Sequence, residues 1–557
     1  MAMDTCISML TWLPRGRLLC ALAPLTLLGC GEVAAEHDGG GVADGTVDAG
    51  EVSHRVAVEQ GLLAGVGVDG GVAFLGVPFA APPVGALRWR PPQPPLAWEG
   101  PRAADRWPSA CPQPSGVGGG DGPDASEILG DEDCLFLNVW TPAPGAADLR
   151  PVLVFIHGGG NLAGSTSDPV RAVAATDSDA PLYDGARVAA RADVVVVTLQ
   201  YRLGALGYLV HAALDAESET GTSGNYGLQD LVAGLRWVQA NIDAFGGDPD
   251  RVLLFGQSAG GRNTLLLATS PETEGLFHGA AVHSAPLGAQ DPAQARTQGA
   301  ALVEELGCVG ADAASCLRAV EPSALLRAEA AQPLGLASGA FRPTVDGHLV
   351  VAQPLDRVSG GEAPRVPLLL GTLETEYAHR WLELRPRGYE AAIGAMVGPG
   401  FVDAVTAQYP LSRFEGDASL AFSTLMSDRN VTCPSRIFAR THAAAGLAQP
   451  LYFYRFRRLL PEPLRLGPGA YHTSELLFLF QHLEALGGDA EDRATEEAML
   501  GYWARFAATG DPNGTAAATW RPFATGDEAY LSLELVPTLE RDLAQADCDF
   551  WDGLRRR

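Results

Sequence analysis

Short apolar runs punctuate the chain from about residue 54 onward, and stretches of helical spacing separate them. Residues 151–156 (PVLVFI) and 194–199 (VVVVTL) are almost continuously apolar instead of alternating, which is the pattern of strands covered on both faces. Residues 229–242 place Leu231, Leu235 and Val238 at helical core spacing with Trp237 beside them. Further strands are predicted at 251–255, 280–283 and 367–370, and a helix at 262–268. Strands alternating with helices predict an α/β fold with a large, mostly parallel central sheet flanked by helices. Sites in such sheets lie beyond the C-terminal ends of the strands. Gly158, Ser258 and Glu376 each fall just past such an end.

Candidate chemistry is concentrated at these positions. The segment FGQSAGG, 255–261, sets Ser258 between small residues where a strand gives way to a helix. In a G-x-S-x-G elbow the small neighbours tolerate a strained turn and the hydroxyl projects into a cleft. A serine there needs a base to take its proton and N–H donors for the oxyanion formed on attack. The run His157-Gly158-Gly159-Gly160 after the strand at 151–156 is a loop whose bare backbone can supply such donors. Gly159, Gly160 and Ala259 are assigned to the oxyanion hole. His157 is assigned a structural part in that loop, and His37 and His54 lie in or beside an N-terminal tether.

Charge and termini narrow the setting. Arginine supplies every basic residue: 39 against 66 acidic, a net charge of −27. That balance disfavours nucleic acid and anionic lipid as partners, because both would be repelled. Arg15 and Arg17 precede an apolar run at 18–28 that is too short for a mature membrane span and reads as a signal peptide over residues 1–29. The run ends Leu27-Leu28-Gly29-Cys30, like a bacterial lipobox that leaves a lipidated Cys30; ordinary cleavage near Ala34 and Ala35 is the alternative. Residues 30–53 are rich in Gly, Ala and Asp and read as a flexible tether, with one catalytic domain over 54–557. Removing Cys6 and Cys20 with the signal and lipidating Cys30 leaves six of the nine cysteines, Cys111, Cys134, Cys308, Cys316, Cys433 and Cys548. An exported protein keeps such a set as disulfides, and about 15 pairings are open to six cysteines.

The chain resembles the type-B carboxylesterases, the cholinesterase-like α/β-hydrolases. The resemblance is carried by FLGVPFAAPPVGALRW (74–89), DEDCLFLNVW (131–140), GNYGLQD (224–230), NIDAFGGDPDRV (241–252) and FGQSAGG, in the family's order. It implies an α/β-hydrolase fold and a Ser–acid–His triad. His472, in GAYHTSELLFLF (469–480), matches the family's histidine segment and is implied as general base. Glu376, in GTLETEY (371–377), aligns with the acid, although Thr375 and Tyr377 replace the usual flanks and Glu374 is a rival. The resemblance also implies disulfides Cys111–Cys134, Cys308–Cys316 and Cys433–Cys548, and possible support from Ser284.

The expected reaction is hydrolysis of carboxylic esters through an acyl-enzyme on Ser258, with a small-molecule ester as partner and no metal or organic cofactor. Departures from the cholinesterases concern the substrate. The first disulfide loop, 112–133, contains no aromatic residue to hold a quaternary ammonium. Gln257 replaces the glutamate that usually precedes the serine. Both point to uncharged esters, and Asn161 after the triple glycine predicts a more polar acyl pocket. A non-catalytic interaction module of the same fold, or an acyltransferase or amidase using the same nucleophile, are the alternative readings. The sequence leaves the oligomeric state open.

Overall fold

The protein was analysed as a computed structural model that describes residues 54–115, 124–332, 341–378, 384–514 and 518–555. The proposed signal, Cys30 and all of the tether lie outside these residues.

Eleven strands form the main sheet: β1 (Val66–Val68), β2 (Gly71–Pro78), β3 (Phe136–Thr141), β4 (Arg150–Ile156), β5 (Val195–Leu199), β6 (Gly247–Gln257), β7 (Gly279–His283), β8 (Leu368–Leu373), β9 (Leu451–Phe456), β10 (Tyr530–Leu533) and β11 (Thr538–Glu540). Their spatial order is β11-β10-β9-β8-β7-β6-β4-β5-β3-β2-β1. From β10 through β5 every neighbouring pair is parallel, while β11 and the run β3-β2-β1 pair antiparallel at the two ends. The result is the mostly parallel, helix-flanked sheet expected from the apolar runs.

Those runs are continuous because both faces of the sheet are buried. In β4, Val152, Val154 and Ile156 enter one core cluster while Leu153 and Phe155 enter the other. The same alternation divides Val195 and Val197 from Val196 in β5, and Val252 and Leu254 from Leu253 and Phe255 in β6. Parallel strands are joined by crossovers, and α1 (Tyr226–Asn241) and α2 (Ala259–Ala268) flank β6 in sequence. α1 begins three residues before the predicted start, because Asn225 adopts a left-handed conformation (φ 56°) that turns the chain directly into the helix. α2 begins immediately after Ser258 instead of at residue 262.

All six cysteines pair as the resemblance implied: Cys111–Cys134, Cys308–Cys316 and Cys433–Cys548. Cys433–Cys548 ties the helix Gln545–Arg555 to the helix Cys433–Ala445, inside a third apolar cluster that includes Tyr409 and Trp551. It spans 115 residues, whereas Cys308–Cys316 spans 8. Loop-closure entropy is worth about 4.8 kcal/mol for the long loop and about 2.5 kcal/mol for the short one. Removing the long bridge (Cys433→Ala with Cys548→Ala) should therefore destabilise the fold by roughly 2 kcal/mol more than removing the short one in urea titrations. Equal losses would contradict this ranking.

Candidate active site

Ser258 is the residue between β6 and α2, at φ 58° and ψ −120°. Its backbone N–H donates to the His283 carbonyl at 2.9 Å. A side chain rarely adopts a positive φ, and the cost is tolerated where packing fixes the turn. Here the packing is extreme. A Cβ on Gly260 would lie 2.1 Å from the Ile156 carbonyl oxygen, and one on Gly256 would lie 2.4 Å from the Gly260 backbone. The two glycines of G-x-S-x-G are thus required by the close approach of the elbow to the end of β4.

The glycine loop follows β4 and borders the same cleft. Gly159 and Gly160 are exposed and hold φ 95° and 73°. A Cβ on Gly159 would sit 2.0 Å from the Ala163 carbonyl, so that turn admits only glycine. Among the described hydrogen bonds, the N–H groups of Gly159, Gly160 and Ala259 have no acceptor. His157 is buried in the loop, stacked on Tyr201 with ring centroids 4.5 Å apart. Its Nδ1 lies 3.0 Å from the Gly158 carbonyl, and burial pulls its pKa down to about 4, so it is neutral.

His472 and Glu376 come together from loops beyond β9 and β8. His472 Nδ1 lies 2.7 Å from Glu376 Oε2, and the His472 N–H donates to the Glu376 carbonyl at 3.0 Å. The other carboxylate oxygen, Oε1, accepts from the Leu373 N–H at 2.8 Å. Glu376 is fully buried. With a carboxylate as acceptor, Nδ1 carries the proton and Nε2 presents a lone pair. Glu374 is elsewhere: half-buried, it takes an ion pair from Arg457 Nε at 3.1 Å. Thr375, the residue that departs from the family, is buried and its hydroxyl donates to the carbonyls of Pro468 (3.2 Å) and Ala470 (3.1 Å). It fastens the acid loop to the segment that carries His472.

Two further contacts were not foreseen. Gln257 is 1 % exposed, and its Nε2 lies 3.1 Å from His472 Nε2. Because that ring nitrogen is the acceptor, the amide N–H donates to it, while the amide oxygen faces Gly158. Behind the acid lies a buried polar cluster. Glu475, at the start of α3 (Ser474–Leu479), is fully buried, and burial together with the Glu376 charge raises its pKa well above the usual carboxylate range. His283, 3.9 Å from it, is held neutral by burial, with a pKa near 3, and accepts from Trp503 Nε1 of α4 (Ala490–Thr509) at 3.0 Å. Ser284 is buried with no partner for its hydroxyl among the described residues.

One expectation is corrected. Asn161 does not make the acyl pocket polar: it is fully buried and forms a reciprocal amide pair with Asn263, at 3.2 and 3.0 Å. A buried amide needs such partners, and Asn263 supplies them away from the cleft.

A hydroxyl at a strained elbow, an imidazole backed by a buried carboxylate and three free N–H groups define the hydrolase class of this fold. The chain matches the Carboxylesterase family over residues 52–551 and belongs to it. It is 32% identical over 551 residues to cocaine esterase of Homo sapiens, covering 90% of each chain. It is 32% identical over 509 residues to para-nitrobenzyl esterase of Bacillus subtilis (strain 168), covering 88% of this chain and 97% of that one. A solved PNB esterase superposes with a TM-score of 0.74 at 30% identity, covering 90% of this chain and all of the other. The protein is a carboxylic ester hydrolase.

The Gln257 contact yields a pH prediction. A carboxylate beside the ring would stabilise imidazolium, so Gln257→Glu should move the acidic limb of the kcat/KM profile up by about one pH unit. An unmoved limb would contradict the contact.

Proposed function

We propose that the protein hydrolyses esters without a cationic group through an acyl-enzyme on Ser258. His472 Nε2 takes the Ser258 hydroxyl proton as Oγ attacks the ester carbonyl carbon, and the Gln257 amide releases Nε2 as the hydroxyl engages it. The N–H groups of Gly159, Gly160 and Ala259 receive the oxyanion. The C–O bond then breaks, and His472 gives the proton to the leaving alcohol. Water, deprotonated by the same nitrogen, attacks the acyl carbonyl; the acyl–Oγ bond then breaks, His472 returns the proton to Ser258 Oγ, and the carboxylic acid leaves. Glu376 keeps the proton on Nδ1 and stabilises the imidazolium without taking that proton.

The observation that carries this reading is the 2.7 Å His472–Glu376 contact beside an elbow serine. The same apposition favours a working enzyme over an interaction module. Ser258→Ala should lower kcat on p-nitrophenyl butyrate by at least about 10⁴-fold and abolish labelling by an organophosphonate. Wild-type-like turnover in this variant would refute the nucleophile assignment.

We further infer that the mature protein is tethered to a bacterial envelope through lipidated Cys30, the support being the Leu-Leu-Gly-Cys sequence and the low-complexity stretch behind it. In cell fractionation the wild type should sediment with membranes and Cys30→Ala should appear in the soluble fraction. Membrane association that survives the substitution would defeat the anchor.

A further inference from the structure

The arginines of this acidic chain are, where buried, matched to acids. Arg202 pairs with Asp230, Arg88 with Glu132, and Arg436 with Glu528 and Asp549. Arg262 is half-buried and, like Arg455, Arg465, Arg493 and Arg505, makes no ion pair among the described residues; its place beside the nucleophile sets it apart. It lies one helical turn beyond the nucleophile, its N–H donating to the Ser258 carbonyl at 3.0 Å. Its side chain is half-buried, and the hydrogen bond it makes among the described residues runs from Nε to the Pro286 carbonyl at 3.3 Å. No described carboxylate pairs with it, although the sequence holds 66 acidic residues.

Its surroundings place it at the cleft. Arg262 has Tyr201, Tyr208, Tyr377 and Arg342 as neighbours. The Tyr201 hydroxyl donates to the His157 carbonyl at 2.9 Å, so Tyr201 belongs to the glycine loop, and Tyr377 directly follows the acid Glu376. Arg262 therefore has a tyrosine bonded to the glycine loop and one of the acid loop among its neighbours, and its Nε reaches the carbonyl of exposed Pro286. Burial and the like charge of Arg342 pull its pKa down to about 10, a penalty that an anion at the guanidinium would relieve. Guanidinium grips carboxylate through two parallel N–H donors, and Nε here is already turned to Pro286, which leaves the terminal nitrogens for a ligand.

We propose that Arg262 is a specificity-determining residue that binds a carboxylate carried by the substrate away from the scissile ester, so that the preferred substrates are anionic esters. The inference rests on the ester-hydrolase mechanism proposed above and replaces an uncharged substrate by one with a remote acid group. It agrees in sign with Gln257, which removes a negative charge from the same site.

The test compares matched pairs of esters with and without the acid. Mono-p-nitrophenyl glutarate against its methyl ester places the carboxylate on the acyl side; 4-acetoxybenzoate against its methyl ester places it on the alcohol side. In the wild type, kcat/KM for the free acid should exceed that of the methyl ester at least about tenfold in one pair, and Arg262→Met should erase that preference. Arg262→Lys, which keeps the charge but loses the two-point grip, should retain about a third of the preference or less, and serves as the variant if the methionine does not fold. Preference ratios at or below one in both pairs, or a ratio unmoved by either substitution, would overturn the proposal while leaving ester hydrolysis intact. Turnover of the methyl esters by Ser258→Ala at the wild-type rate would instead overturn the mechanism on which it rests.

Discussion

The close approach of the Ser258 elbow to the end of β4 is the constraint on which the rest of the site depends. Gly260 packs against the carbonyls of Ile156 and His157, and Gly256 packs against Gly260. That contact fixes three things together. It forces Ser258 into a left-handed conformation, it puts the first N–H groups of α2 beside the cleft, and it sets the glycine loop directly across from them. A methyl group at either glycine would push the helix off the strand, and the oxyanion donors would separate by the same movement. The parallel order of β4, β6, β7, β8 and β9 then brings the loops after β6, β8 and β9 to one edge, where Glu376 meets His472.

Electrostatics refine that frame. Glu376 is buried but satisfied, with the imidazole on one oxygen and a backbone N–H on the other. Glu475 lies close enough for the Glu376 charge to act on it, and two carboxylates in one buried region do not both ionise; Glu475 takes the proton. His283 beside it stays neutral for the same reason of burial. In front of the imidazole, Gln257 adds no charge where a glutamate would add one.

Much of this was legible in the sequence because covered parallel strands write continuous apolar runs. Residues 151–156 and 194–199 read as strands for that reason, and the G-x-S-x-G elbow and glycine loop read as chemistry because of where those strands end. His472 and Glu376 were legible only through resemblance to a family, since nothing in their local pattern ties residue 472 to residue 376. The edge strands β1 and β11, and β10 beside β11, are too short to write a period. Asn161 misled because its polarity was visible but its partner Asn263, 102 residues away, was not. Gln257 was visible as an oddity, yet its bond to His472 spans 215 residues and leaves no local signal. Arg262 read as one more arginine of the helical stretch until its place one turn beyond Ser258, with no paired carboxylate among the described residues, could be seen.

The most direct test of the central claim is mass spectrometry of the peptide that carries FGQSAGG, taken from enzyme quenched during turnover of a p-nitrophenyl ester. The account predicts the acyl mass on Ser258, present in the steady state and lost after substrate is exhausted. Continued turnover with Ser258 unmodified, or the acyl group on another residue, would contradict it.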